Sequence, residues 1–466
     1  MQFLSIADLI ITPIFIIFLY FYARAIQKRR IDEFPEYRYY LLGLSVKIGG
    51  GISLGLIYAL YYGGGDATQY YQDAVCLVKL QFKDPSSFFI VMRDGLNRAN
   101  YIYFDTDTGF PVYFRDSATF FVVRIVWVAV LLGLTSFLGA TIMMAWLSFE
   151  GIWRLYKVFI YEFPMLKRQM AIAILFIPSV FFWGSGLLKD TITFSCIGYF
   201  TYSFHSLFIR KKNIILNAVI IYISFYFILS IKPYLVLGLL PGSLLWVTSN
   251  LLGKLNGSII KVGSAPLLVV FSIVFGYLML DNLNEDLGNY SLDKVLQRAV
   301  ITQLDLKSDY YKGNSFDIGA FEPTMQGMLS KAPQAIAATL FRPTIFEVRN
   351  IVMFFSGLEN ALILLFTIKV LFRVRIFGLL RYFTAHHLLT FSLIFSLFLA
   401  FAIGISTSNF GSLVRYKIPA MPFYVASLYI ISYLDSLRDK KLYKTELIDD
   451  VKDLDESETK TDPILS

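Results

Sequence analysis

The sequence predicts an all-α polytopic membrane protein with about eleven or twelve transmembrane helices. Its 466 residues are 56% hydrophobic and only 16% charged, with a mean hydropathy of +0.60. A soluble domain carries about 25% charged residues. Apolar runs of about 18 residues or more recur along the chain, and a run of that length can cross a bilayer as a helix. These observations exclude an ordinary soluble domain.

The apolar runs define the predicted spans, whose boundaries carry an error of about two to four residues. In chain order the spans are 3–23, 41–62, 118–137, 139–158, 170–187, 190–209, 213–231, 234–252, 262–281, 350–372, 387–406 and 416–434. The first has neither a basic n-region nor a small-residue cleavage site, so we interpret it as a span and not as a signal peptide. Residues 1–443 are predicted to form one transmembrane domain, and the acidic residues 444–466 a disordered tail.

Basic residues between the spans predict the orientation, because cytoplasmic loops of membrane proteins are enriched in Lys and Arg. Basic clusters occur in 24–40, 154–169, 210–212 and 373–386, and again after the last span. This pattern places the two long loops, 63–117 and 282–349, on the outer face. It places the C-terminal tail in the cytoplasm.

The segment 118–158 conflicts with this orientation. It must cross an odd number of times, yet it is long enough for two spans. We interpret it as one long tilted helix plus a re-entrant or interfacial piece. The alternative is that one basic loop breaks the positive-inside rule.

Both long loops contain short predicted helices. Residues 85–95 are apolar but too short to span, which suits a helix lying in the interface plane. Residues 291–304 carry apolar side chains on one face, and 332–340 form another short helix opened by Pro333. These helices either form a lid or floor for a lipid-borne substrate or simply cap the bundle.

Cysteine and histidine residues form no pattern that indicates a metal or a disulfide framework. Cys76 and Cys196 lack metal-ligand spacing. The histidines His205, His386 and His387 are too few and too scattered for a zinc site. The net charge of +8 requires no nucleic-acid partner, because cytoplasmic loops collect basic residues.

The stretch 61–74, YYGGGDATQYYQDA, places Asp66 directly after an apolar segment, at the predicted boundary between membrane and water. Its three glycines allow the backbone to turn sharply and to approach a ligand closely. Tyr70 and Tyr71 follow one helical turn later. An aspartate in such a position is more often a solvated loop residue than an acid–base group. The distribution of the other charged residues favours an acid–base role for Asp66 here.

Further charged residues occur at the predicted outer ends of helices, where positive charge is unfavourable for insertion. They are Lys189, Asp190, Lys232, Arg342, Glu347 and Arg415, and Arg124 lies a few residues inside its span. Taken singly, each cation more often extends to the interface. We predict that together they form a basic pocket for a phosphate or diphosphate, on the assumption that they converge in space.

A phosphate pocket beside an aspartate predicts one class of reaction. The cations would stabilise a lipid-phosphate leaving group, while Asp66 takes a proton from an acceptor hydroxyl as general base. Tyr70, Tyr71, Trp183 and Tyr234 are candidates for stacking on a sugar or lining a groove. Aromatic residues at this depth more often form the interfacial belt.

The residues around Asp66, GGDATQYY, resemble the first outer loop of the GT-C superfamily of membrane glycosyltransferases. FFVVRI, which contains Arg124, is similar to a family pattern, as is PSVFFWGSGLLKD, which ends in Lys189 and Asp190. With KPY, FRPTIFE and GSLVRYKIP, the ordered set most resembles multi-spanning proteins of bacterial cell-surface polysaccharide pathways. The resemblance covers roughly residues 40–425.

The resemblance implies a GT-C-like fold in the bacterial inner membrane, with Asp66 as the catalytic base. It implies inverting transfer from a polyprenyl-phosphate or polyprenyl-diphosphate sugar donor to a saccharide acceptor, at the outer face. Some members of the superfamily need a divalent cation held by acidic loop residues. Here Asp66 and Asp190 would be its ligands, although their spacing does not independently indicate a metal.

Two other functions remain open from the sequence. A transporter or flippase of lipid-linked saccharides would also need a basic pocket, but with charged and polar residues at mid-span depth. A non-catalytic scaffold of a polysaccharide assembly system would place no chemical demand on Asp66. The charges at the helix ends favour the enzyme.

Overall fold

The computed structural model describes residues 3–114, 116–252, 301, 315–322, 324–383 and 386–458. In this part of the chain the regular structure is helical, and the only β-type pairing is an isolated bridge between Ser315 and Asn409. The predicted all-α fold class is confirmed. The first eleven helices are α1 Ile6–Arg30, α2 Tyr40–Leu56, α3 Asp66–Lys83, α4 Pro85–Asp94, α5 Ser117–Leu132, α6 Phe137–Glu162, α7 Lys167–Leu175, α8 Pro178–Trp183, α9 Lys189–Phe204, α10 Ile214–Ile231 and α11 Tyr234–Leu252.

Seven further helices are described after residue 314. They are α12 Met325–Ser330, α13 Ala332–Phe341, α14 Ile351–Val374, α15 Ile376–Phe383, α16 His387–Ser406, α17 Phe410–Tyr416 and α18 Ala420–Glu458. The predicted span 262–281 lies outside the described residues, and so does the predicted helix 291–304 apart from residue 301.

Five described helical segments are long and apolar enough to cross a membrane: Ile6–Arg30, Pro35–Tyr61, Ile214–Ile231, Ile351–Val374 and His387–Ser406. Each corresponds to a span predicted from the sequence. Large apolar side chains on α1, such as Leu9 and Phe21, are more than half exposed, as expected for a surface that faces lipid. The chain is therefore a polytopic membrane protein. The larger predicted number of spans stays a prediction.

The segment 118–158 forms two helices, α5 and α6, that meet at a bend of 109°. Leu134 and Thr135 at the bend have left-handed backbone, with φ angles of 54° and 56°. Asp8 of α1 fixes the start of α6, because its carboxylate accepts hydrogen bonds from the Ser136 hydroxyl at 2.6 Å and the Leu138 N–H at 2.8 Å. The geometry is that of a broken span or a re-entrant loop, and counting the pair as one span gives six candidates among the described helices.

Two other predicted spans are interrupted in the structure. Residues 170–187 are divided into α7 and α8, because Pro178 has no N–H to continue the ladder of α7. Residues 416–434 begin instead with a turn at Lys417, after which α18 starts at Ala420. Both interruptions place polar backbone beside the charged residues described below.

The loop 63–117 is folded around α3 and α4. Helix α4 coincides with the short interfacial helix predicted at 85–95, and the Asp84 carboxylate caps it by accepting hydrogen bonds from the Ser86 and Ser87 N–H groups. Lys83 pairs with Asp105 at 2.5 Å and Asp107 at 2.6 Å. Its hydrogen bond to Asp105, together with those from the Thr108 and Asp107 N–H groups, lowers the pKa of Asp105 to about 2.

The last helix, α18, runs to Glu458, so residues 444–458 of the segment predicted as a disordered tail are helical. No glycine or proline occurs between Phe423 and Glu458, and Lys and Glu are good helix formers. Residues 459–466 lie outside the described residues. In the second long loop, α13 coincides with the helix predicted at 332–340.

Candidate functional site

The GGGD turn starts α3 at Asp66. Gly63, Gly64 and Gly65 have φ angles of 68°, 139° and 140°, values that L side chains rarely adopt. A Cβ atom at Gly65 would lie 2.8 Å from the Tyr58 ring, so this position also requires glycine for space. Asp66 is the first residue of α3, where the partial positive charge of a helix N-terminus favours a carboxylate.

Arg415 connects Asp66 to a second carboxylate. Its Nη1 donates to Oδ2 of Asp66 at 2.7 Å, and its Nε donates to Oδ2 of Asp190 at 2.7 Å. The other oxygen of Asp190, Oδ1, accepts a hydrogen bond from Nζ of Lys232. These four residues, Asp66, Asp190, Lys232 and Arg415, form a continuous ion-pair network that we call the charged centre.

Solvent access differs sharply within the charged centre. The Asp190 side chain is fully buried, and that of Lys232 is 8% exposed. The Arg415 side chain is 15% exposed, whereas that of Asp66 is 43% exposed. A buried charge must be paired and hydrogen-bonded to be tolerated, and Asp190 meets this requirement with two cationic donors. Asp66 is therefore the most solvent-exposed member of the charged centre.

Lys189 adds a third cation from the start of α9. Its Nζ donates to the Thr119 hydroxyl at 2.6 Å, and it lies within electrostatic range of Asp66 and Asp116. Asp116 caps α5 by accepting hydrogen bonds from the N–H and hydroxyl of Thr119. Burial raises the pKa of Asp116, but the hydrogen bonds from Thr119 and the charge of Lys189 outweigh it, so the pKa lies below its ordinary value.

Three tyrosines adjoin the charged centre: Tyr58, Tyr70 and Tyr113. Tyr70 is buried, and its ring centroid lies 5.4 Å from that of Tyr113. Burial, followed by the negative charges of Asp66 and other carboxylates, raises the pKa of Tyr113 to about 12. Tyr113 therefore remains neutral near pH 7, and the three tyrosines supply an aromatic wall with hydroxyl groups.

Helix α8 leads directly into the charged centre and is fixed at both ends by buried charges. At its start, the Glu359 carboxylate accepts hydrogen bonds from the Ser179 N–H at 2.7 Å and the Ser179 hydroxyl at 2.6 Å. At its end, Nζ of Lys47 donates to the carbonyl of Gly184. An anion at the N-terminus and a cation at the C-terminus both match the helix dipole. The chain then continues through residues 185–188 to Lys189 and Asp190.

Close packing of α2 against α8 supports the same segment. A Cβ atom at Gly50 would lie only 2.3 Å from the Phe181 carbonyl oxygen, so α2 can approach this backbone only with glycine at that position. Trp183, a predicted groove aromatic, is buried with its ring centroid 5.1 Å from that of Phe182. Trp183 therefore packs against its neighbour Phe182 within α8.

Arg342 and Glu347 pair with each other, rather than with the charged centre, in the part of the chain that the structure describes. Nη2 of Arg342 lies 3.0 Å from Oε1 of Glu347. The other oxygen of Glu347 accepts hydrogen bonds from the N–H and hydroxyl of Thr344. Lys417, two residues after Arg415, donates to the Arg342 carbonyl at 3.3 Å and to Oδ1 of Asn360 at 2.6 Å. This second ion pair therefore adjoins the turn that follows Arg415 and helix α17.

The remaining predicted site residues have other partners. Nη1 of Arg124 donates to the Met92 carbonyl at 2.9 Å, near the end of α4. The Tyr71 hydroxyl donates to the Thr135 carbonyl at 2.5 Å, at the bend between α5 and α6. Nζ of Lys232 lies 6.0 Å from the centroid of Tyr234 and 4.7 Å from that of Tyr416, which the sequence did not single out.

Two of the three histidines, which are too scattered along the chain to indicate a zinc site, share one carboxylate in the fold. Nε2 of His205 lies 2.6 Å from Oε1 of Glu162, and Nε2 of His386 lies 3.3 Å from Oε2 of the same carboxylate. The ring centroids of His386 and His387 are 6.1 Å apart. Packing of the ends of α6 and α9 against the start of α16 brings these residues together, which spacing along the chain cannot reveal.

The charged centre as arranged does not fit a divalent cation. Both oxygens of Asp190 are taken by Lys232 and Arg415, and the Arg415 guanidinium joins the two carboxylates that the family resemblance assigns to a metal. Within the described ranges, no group of three or more His, Cys, Asp or Glu side chains could hold a metal ion.

Comparisons with known proteins provide no family for this chain. No family model matches it, and neither the curated proteins nor the solved structures contain a match. Any functional assignment therefore depends on the residues and their geometry.

Proposed function

We propose that the chain is an integral membrane glycosyltransferase or polysaccharide polymerase that uses a polyprenyl-phosphate or polyprenyl-diphosphate sugar donor. The observation that carries this proposal is the contact of Arg415 with both Asp66 and Asp190. Three cations and an outward-facing carboxylate meet there from distant parts of the chain. A transferase with an anionic leaving group needs this combination of a base and phosphate ligands.

The proposed reaction assigns roles to Asp66, Arg415 and Lys232 of the charged centre and to the neighbouring Lys189. The oxygen of an acceptor hydroxyl attacks the anomeric carbon of the donor sugar, and the bond between that carbon and the phosphate oxygen breaks. The hydroxyl proton moves to the Asp66 carboxylate, and the bonding electron pair leaves with the phosphate. Arg415, Lys232 and Lys189 stabilise the negative charge that develops on the leaving group.

The predicted orientation places this reaction at the outer face of the bacterial inner membrane. The basic clusters at 24–40 and 210–212 support a cytoplasmic position for the opposite helix ends. The exposed Phe89 of α4 and the exposed Phe82 near the end of α3 suit a surface in contact with lipid, where a polyprenyl chain would approach. The GT-C-like arrangement of spans is part of the proposal.

A transporter of the same lipid-linked saccharides is the second candidate. Lys47 and Glu359 lie buried inside candidate spans, and charges at such positions often mark a transport pathway. Both charges, however, bind the backbone of α8 at its two ends. These backbone contacts favour a structural role for Lys47 and Glu359 over a role in a transport pathway.

One reconstitution experiment separates the two candidates. The purified protein is inserted into liposomes that contain lipid-linked saccharides extracted from the host's own membranes. A transferase lengthens or transfers the saccharide, which mass spectrometry detects as a new product and free polyprenyl phosphate or diphosphate. A transporter moves the unchanged lipid between leaflets, and this result without a new product would reject the enzyme.

A further inference from the structure

The charges around Arg415 balance in the structure, which limits how an anion can bind. The cations are Lys189, Lys232 and Arg415, and the carboxylates are Asp66, Asp116 and Asp190. A phosphate or diphosphate adds at least one negative charge to this group. In a partly dry site an uncompensated charge is costly, so binding is favoured when one carboxylate moves away from the cations.

Burial and hydrogen bonding identify the carboxylate that can move. Asp190 is fully buried and uses both oxygens for Lys232 and Arg415. Asp116 caps α5 through Thr119. Asp66 has a 43% exposed side chain and follows three glycines with positive φ angles. It is therefore the carboxylate that can leave Arg415 at the lowest cost.

We propose that Asp66 and the phosphate group of the ligand compete for the Arg415 guanidinium, so that ligand binding releases Asp66. The proposed function supplies the ligand class, a lipid-linked phosphate or diphosphate, and the competition itself follows from the balance of charges around Arg415. In the unliganded protein the Arg415 guanidinium is paired with the Asp66 carboxylate. After the phosphate replaces Asp66, the carboxylate is free to accept a proton from an acceptor hydroxyl beside the donor.

The alternative is that the phosphate binds Arg415 without displacing Asp66. A guanidinium has five N–H donors, and Asp66 and Asp190 receive one each in this geometry. Under this alternative Asp66 repels the phosphate only weakly, because Arg415 stays paired with Asp66 and neutralises its charge. The two cases differ in what neutralising Asp66 does to affinity.

The test measures the affinity of the purified protein in nanodiscs for farnesyl diphosphate and for inorganic pyrophosphate. The variants are Asp66→Asn, Asp66→Ser and the matched control Asp94→Asn, which removes an exposed carboxylate paired with Arg93 on the same loop. We expect both Asp66 variants to bind about ten-fold more tightly, or about 1.4 kcal/mol, because the competing carboxylate is gone. Asp94→Asn should bind like the wild type.

The two probes separate the possible sources of the phosphate. Tighter binding of farnesyl diphosphate alone assigns the site to a lipid-linked ligand, whereas tighter binding of both probes assigns it to any diphosphate. Affinities that are unchanged or weaker in properly folded Asp66 variants overturn the competition, as does the absence of binding in the wild type and both Asp66 variants. If the Asp66 variants bind more tightly but the wild-type protein transfers no saccharide, the competition for Arg415 is supported and the proposed transferase activity is rejected.

Discussion

Arg415 and Asp66 are 349 positions apart in the chain, and Nη1 of the arginine lies 2.7 Å from Oδ2 of the aspartate. The same guanidinium binds Asp190, so α3, α9 and the short helix α17 meet at a single side chain. A planar guanidinium with several donors can bridge two carboxylates in this way, whereas a lysine ammonium acts as a point charge.

Removing Arg415 should destabilise the fold. Arg415→Ala leaves the buried Asp190 with Lys232 as its partner in the charged centre, and breaking a buried ion pair from one side costs about 3–5 kcal/mol. We expect a clear fall in the thermal denaturation midpoint in detergent, together with weaker binding of the donor. Arg93→Ala is the matched control, because that arginine is 77% exposed and pairs with its neighbour Asp94. An Arg415→Ala midpoint equal to that of Arg93→Ala would show that the ion pairs contribute nothing.

Glu359 should be needed to hold α8 in place. Glu359→Leu removes the carboxylate at the helix N-terminus and leaves the Ser179 N–H and hydroxyl without their acceptor. The expected loss of stability is about 1–3 kcal/mol, as for a buried donor left without its partner. Thermal denaturation of this variant is compared with that of Glu33→Leu, which changes an exposed carboxylate. Equal midpoints for the two variants would contradict the role of Glu359.

The predicted orientation can be tested without any knowledge of the substrate. In a variant without Cys76 and Cys196, a cysteine replaces either the exposed Ala99 of the loop 63–117 or the exposed Lys212. A maleimide that cannot cross membranes should label Ala99→Cys in cells with a permeable outer membrane, and Lys212→Cys only after lysis. Labelling in the opposite order would place the GGGD turn in the cytosol and end the proposed outer-face reaction.

Hydropathy and turn chemistry predict much of the fold. The spans at α1, α10 and α16 follow from apolar runs of sufficient length, and the short helix α4 follows from an apolar run that is too short to cross. The breaks in the predicted spans are harder to predict. Pro178 gives a signal for the start of α8. The turn at Lys417 contains no glycine, and Pro419 alone does not indicate where α17 ends, because helix α18 begins directly after it.

Only part of the candidate site could be predicted from the sequence. Charges at helix ends of one membrane face share a layer, so the meeting of Asp66, Lys232 and Arg415 is a fair expectation. The sequence does not encode which helices are neighbours within that layer. For this reason the pairing of Arg342 with Glu347, away from the charged centre, does not follow from the sequence.

Local signals were available for one of the missed residues. Asp116 stands three positions before Thr119, a spacing typical of an aspartate that caps a helix. Tyr58 and Tyr113 carried no such signal, because tyrosine is common in this chain and only the fold places these two beside Asp66. The convergence of His205 and His386 on Glu162 likewise depends on helix packing.

The proposed base can be tested by the rate of saccharide transfer in nanodiscs, measured for Asp66→Asn beside Asp94→Asn. The amide keeps the size of the side chain and its hydrogen bond to Arg415, but it cannot take the acceptor proton. We expect Asp66→Asn to fold and insert normally and to lose transfer by a factor of about 100 or more, while Asp94→Asn retains the wild-type rate. Wild-type transfer by a correctly inserted Asp66→Asn protein would contradict the account.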